Sequence, residues 1–159
     1  MCRMCDAGWP LEKVLQLYRA RIRQSGVAVV HVARSAGVAG YSYTVGLTRL
    51  HDHPEVVLSG QPPEVAAGQL TFIATNARKG QRFGAGMVFP GAGPKSRVQF
   101  AQVDDPAQLP HAQQIYGGAA GPVPALQAIW TDDEGHWPWS PGWPVAAAAQ
   151  PLFGTPLHT

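Results

Sequence analysis

Residues 27–59 read VAVVHVARSAGVAGYSYTVGLTRLHDHPEVVLS, three short apolar runs separated by turn chemistry. The first run, 27–32 (VAVVHV), is β-branched and brief, the pattern of a buried strand. Residues 37–40 (GVAG) turn the chain, and 41–47 (YSYTVGL) form a second strand, expected antiparallel to the first. Pro54 has no backbone N–H and breaks the chain before a third strand at 55–59 (EVVLS).

On the N-terminal side, Leu11, Val14, Leu15, Tyr18 and Ile22 recur at helical spacing, with charged residues between them. They predict a helix over 10–25, started by Pro10 and ended by Gly26. On the C-terminal side, Pro62-Pro63-Glu64 opens a second helix to about 79, with Val65, Leu70, Phe72 and Ile73 as its apolar face. Residues 80–94 are a glycine-rich loop with a short strand at 87–89. Residues 97–103 alternate as a half-buried strand, 111–116 form a short helix, and 125–130 (ALQAIW) form another strand. A turn at 132–135 is expected to send 136–139 back beside that strand, after which a Pro/Ala/Gly segment lies over the body. Hairpin-like runs with irregularly spaced helices predict a single α+β domain over 1–154, with a tail at 155–159. Its mainly antiparallel sheet is covered by two principal helices.

The composition narrows the function classes. The chain has 159 residues, one domain's worth, with a charged share of 14% and a net charge of +2. This charge balance carries no concentrated basic footprint, and the patch of Arg19, Arg21, Arg23 and Arg34 has no recognition motif beside it, so nucleic acid is not an expected partner. No run of 18 apolar residues is present, and no apolar segment follows the start in the manner of a secretory signal. A cytoplasmic protein without a membrane partner is therefore expected. Gly-x-Ser-x-Gly is absent, and Asp132, Asp133 and Glu134 sit where a turn alone calls for acidic residues.

Cys2-x-x-Cys5 is the sharpest chemical feature. Two thiolates at this spacing can share a tetrahedral ion, typically zinc, provided that other ligands arrive from elsewhere. His53 is the first candidate, with His31 and His51 behind it. A redox pair and two incidental cysteines are the alternatives. His51-x-His53-x-Glu55 would align three ligand-type side chains if extended; the plain reading is a solvated turn in which Glu55 caps a neighbour. Gly86-x4-Gly91 with Lys95-Ser96 fails as a phosphate loop, because Pro94 stands where a glycine N–H is needed. Arg78, Lys79, Arg82, Lys95 and Arg97 bracket that loop as a conceivable basic rim. Trp130, Trp137, Trp139 and Trp143 offer either a core edge or, with Trp137 and Trp139 on one face, a floor for a ligand or partner.

An ordered series of motifs suggests a relationship: MCRMCD at 1–6, YTVGL at 43–47, His53-Pro54-Glu55, Gly60 with Pro62-Pro63-Glu64, ALQAIW at 125–130, and Trp137-Pro138-Trp139. The series resembles the bacterial family catalogued as domain of unknown function 4262, over residues 1 to about 154. The resemblance implies an intracellular bacterial domain, without a reaction, and favours His53 over His51. The chain departs from the family's usual look in its Gly/Pro/Ala insertions and its doubled His51-Asp52-His53. Two functions follow from the sequence. One is a non-enzymatic interaction or accessory module for a protein or small-molecule partner, with Trp137, Trp139, Tyr43 and Glu55 as candidate binding residues. The other is a zinc-type metal protein or metal-dependent enzyme using Cys2, Cys5 and His53.

Overall fold

The computed structural model describes residues 7–146 and 149–157. The chain runs α1 (Leu11–Ser25), β1 (Ala28–Val32), β2 (Tyr41–Val45), α2 (Leu47–His51), β3 (Glu55–Ser59), α3 (Pro63–Arg78), β4 (Val88–Pro90), β5 (Arg97–Gln102), a single 3-10 turn (Pro106–Gln108), α4 (Pro110–Tyr116) and β6 (Ala125–Trp130). The six strands form one open sheet in the order β1-β2-β3-β6-β5-β4. Every pairing is antiparallel except β3 with β6, which run parallel. The expected α+β domain with a mainly antiparallel sheet is what forms.

Helices pack on both faces of the sheet. On one, Val30, Tyr43, Val45, Val57 and Ala125 pack against Val14, Tyr18 and Ile22 of α1 and Ala112 of α4. On the other, Val56, Leu58, Phe100, Leu126 and Ala128 pack against Leu70, Ile73, Ala74 and Ala77 of α3 and against Phe83. The buried stripe of α1 is the one its spacing predicts, and Gly26 closes the helix in the left-handed conformation at φ 81°, its N–H bonded to Ile22 O.

Three expectations are corrected. The second strand stops at Val45, two residues early, because Gly46 turns at φ 127° and the short helix α2 starts behind it. Only glycine fits there, since a Cβ would lie 2.9 Å from Gly26 O. The apolar face of α3 is Ala66, Leu70, Ile73, Ala74 and Ala77, whereas Val65 and Phe72 point outward, Phe72 being 71% exposed. Positions 65 and 72 lie seven apart and share a stripe that misses the sheet. Residues 136–139 form no strand. Asp132 instead folds them into a compact turn: its Oδ1 accepts from the Glu134 and His136 N–H groups, and its Oδ2 pairs with His136 Nδ1 at 2.8 Å.

Side-chain amides hold the end of the chain on the sheet. Gln150, 1% exposed, accepts from Trp130 N–H at 2.9 Å and donates to Trp130 O at 2.9 Å, standing in for a strand's peptide group. Gln127 donates to Pro151 O and accepts from Phe153 N–H. Gln99 donates to Leu157 O, so the segment stays attached through residue 157. A Cβ on Gly154 would overlap the Gln102 carbonyl oxygen, which shows how closely the segment lies against β5. Gln150→Ala should strand two backbone groups of Trp130 and lower the unfolding free energy by about 1–3 kcal/mol, measured by urea denaturation. A loss below a few tenths would show that water replaces the amide.

Candidate functional site

Glu55 heads β3 yet is fully buried, and its carboxylate organises the turn from β2 into β3. Oε1 accepts from Gly46 N–H at 2.8 Å and Thr48 N–H at 3.2 Å. Oε2 accepts from Thr44 Oγ1–H at 2.6 Å and Leu47 N–H at 3.3 Å. The otherwise unpaired N–H groups at the start of α2 are thereby satisfied by a side chain at the head of the next strand. Thr44 Oγ1 also accepts from Val56 N–H, tying the cluster to the sheet. Burial pushes the Glu55 pKa up to about 7, opposed by the hydrogen bonds from Thr44, Gly46, Thr48 and Leu47.

His53 lies beside this turn, 1% exposed, with its ring edge-on to Phe83. Its Nδ1 bonds Pro54 O at 2.7 Å and its Nε2 accepts from Phe83 N–H at 3.1 Å. This pair of bonds fixes a neutral ring protonated at Nδ1, and burial with the nearby Arg82 charge lowers its pKa. Either nitrogen would reach a metal only by giving up its present bond. Among the described residues no group of three or more His, Cys, Asp or Glu side chains is placed to hold a metal ion. Cys2 and Cys5 lie outside the described residues. His31 and His51 go elsewhere: His31 Nδ1 is 2.6 Å from Ser42 Oγ across β1 and β2, and His51 ends α2.

Tyr43 is fully buried, its hydroxyl accepting from His111 N–H at 3.1 Å. Trp137 and Trp139 stack on each other, half-buried, with centroids 5.2 Å apart and planes 5° off parallel, and the Arg97 guanidinium lies 5.2 Å from the Trp137 ring. Trp130 donates its indole N–H to Ser59 O and tilts against Trp143. The bracketing cations do not make one rim. Arg82 donates to His51 O and Asp52 O, Lys95 pairs with Glu134 at 2.6 Å, and Arg97 donates to Gly135 O. Arg78 lies apart from these, at the end of α3 and over the turn that closes α1.

The sheet face under α3 is not wholly covered. Between α3 and β4–β5 lies a cavity of about 510 Å³. Its floor is Leu58, Phe100 and Ala128, all buried, and its walls include Phe72, Phe83 and Phe89. Gln69 is also on the wall, and its Oε1, shut off from solvent, has no hydrogen-bond partner among the described residues. Gly68 forms part of the wall, and a Cβ built on it meets nothing within 4 Å. The sequence held a signal for this place. A glycine inside a helix costs about 1 kcal/mol against alanine, and an outward Phe four residues later adds an exposed aromatic.

The fold and this cavity define a small α+β domain built around one open sheet. The profile of the family described as domain of unknown function (DUF4262) matches residues 21–144, and the chain belongs to that family. No curated protein and no solved structure gave a match. Among the described residues no helix is long and apolar enough to cross a membrane.

The Glu55 cluster makes stability depend on pH. An unfolded carboxyl titrates near 4.5 and the folded one near 7, so the folded state binds the proton more tightly. The associated stabilisation is complete below pH 4.5 and is lost as pH rises through 7. Chemical denaturation of wild type should show that decline, and Glu55→Gln should flatten it. The variant also turns an amide NH2 toward backbone donors, costing about 1–3 kcal/mol near pH 5.

Proposed function

We propose that the protein is a non-catalytic binding module that takes a small, mainly apolar ligand into the cavity beside α3. The single observation that carries this reading is an aromatic-walled cavity that reaches the buried sheet and has Gln69 on its wall. Its volume of about 510 Å³ falls within the roughly 300–1,000 Å³ of small-molecule pockets. Apolar walls supply affinity through burial, at about 25 cal/mol per Å² of apolar surface removed from water. Gln69 adds selectivity: rotation of its amide brings the unpartnered Oε1 to the cavity, where a ligand with an N–H or O–H donor satisfies it. Indole- and phenol-like rings have that combination. The tryptophan pair is a weaker candidate, since each indole gives one face to the other.

Gly68 provides the test. Because the space beyond it is open, Gly68→Leu adds a side chain at the wall without a clash and improves helix propensity. Wild type should bind indole in ligand-detected NMR or calorimetry, with resonances of Phe72, Phe89 and Phe100 shifting. Gly68→Leu should fold at least as stably and lose that binding. Gln69→Leu should erase the preference for indole over naphthalene. Absence of indole binding at millimolar concentration, or binding indifferent to Gly68→Leu, removes the proposal.

A further inference from the structure

A second cleft, sharing no lining residue with the apolar cavity, has the opposite character. Its volume is about 560 Å³, and it opens between the C-terminal half of α1, Leu50 of α2, the end of α3 and Tyr116 at the end of α4. Arg19, Arg23 and Arg78 line it. Arg49 is close enough for its charge to act on the Tyr116 hydroxyl, as do that of Arg19 and, with the opposite sign, that of the buried Glu55. Two helices thus bring three guanidinium groups to the cleft, with a fourth on α2 nearby. No acidic side chain lines the cleft among the described residues. Glu12 pairs with Arg19 at 3.2 Å, and Glu55 is enclosed by its own hydrogen bonds.

These charges are not spent inside the fold. Among the described residues, Arg23, Arg49 and Arg78 make no hydrogen bond or ion pair, in contrast to Arg82 and Arg97. The Arg78 guanidinium is nevertheless seated: a Cβ on Gly26 would stand 3.2 Å from its central carbon, so it lies flat over the turn that closes α1. Ile22 and Ile115 give the cleft an apolar floor, which strengthens electrostatic attraction above it. Burial raises the Tyr116 pKa, so its hydroxyl keeps its proton and can donate. Guanidinium forks match oxyanions in shape as well as charge.

We propose that this cleft binds a small multivalent oxyanion, the phosphate or carboxylate groups of a metabolite-sized ligand held by Arg19, Arg23 and Arg78 with Tyr116. It is a site separate from the apolar cavity and does not depend on that assignment.

The experiment uses pyrophosphate and citrate as probes on the full chain, read by calorimetry and by backbone and arginine side-chain NMR at low salt. Either anion should shift resonances of Arg23, Gly26, Arg78 and Tyr116, and the tighter of the two identifies the ligand chemistry. Arg23→Ala with Arg78→Ala should weaken binding at least tenfold while the variant stays folded, and Gly68→Leu should leave it unchanged. A seated Arg78 that only compensates the carbonyls at the end of α1 predicts a lower Tm for Arg78→Ala with unchanged anion affinity, and that result overturns the proposal. So does the absence of any shift with both anions, or tight binding of a single-stranded oligonucleotide with none of either small anion.

Discussion

A carboxylate at the head of a central strand holds the start of a neighbouring helix, and most of the remaining geometry follows from that contact. Glu55 collects the N–H groups of Gly46, Leu47 and Thr48 and the hydroxyl of Thr44. In doing so it fixes where β2 ends, where α2 begins and how β3 enters the sheet. The cost is a desolvated acid, visible in a pKa near 7. The gain is a rigid corner that sets His53 against Phe83 and positions α2 beside the arginine cleft. Four donors converge on two oxygens, so neither a shorter Asp nor a neutral Gln reproduces the arrangement.

Glutamine plays a comparable part at the other end of the sheet. Gln99, Gln127 and Gln150 are each about 1% exposed or less; the first two offer their amides to main-chain groups of the closing segment, and Gln150, within that segment, offers its own to the main chain of Trp130. An amide side chain has the same donor and acceptor as a peptide group and can pair with backbone that no strand reaches. Residues 149–157 are therefore bound to the sheet without being a strand. The family profile ends at residue 144, yet the fold uses side-chain hydrogen bonds well beyond it.

Much of this architecture was legible in the sequence, for identifiable reasons. The strands at 55–59 and 125–130 declare themselves as short apolar runs, as strands buried on both faces do, and the buried stripe of α1 declares itself through helical periodicity. Helix α2 did not, because five residues carry no full period and its cap lies on another element. The parallel β3–β6 pair was equally hidden, since local sequence does not record which distant strand lies alongside. A capping role for Glu55 can be read from its place in the turn before a strand. Its flanking histidines were expected in water, and His53 is instead buried with both nitrogens bonded. The cavity residues were invisible as a set: Gly68, Gln69, Phe89 and Phe100 lie on three elements and meet only in space.

The sheet order also sets a timetable for synthesis. β1, β2 and β3 are near neighbours in the chain and can zip together as soon as they leave the ribosome. The strand that completes β3 on its far side is β6, and residues 60–124 must be translated first. Until then the apolar β3 backbone presents an open edge, a template for mispairing between nascent chains. Helix α3 follows β3 directly and can shield one face of that half-sheet, but it leaves the edge bare. Inserting the last strand between two already written ones makes this a chain whose middle is finished last.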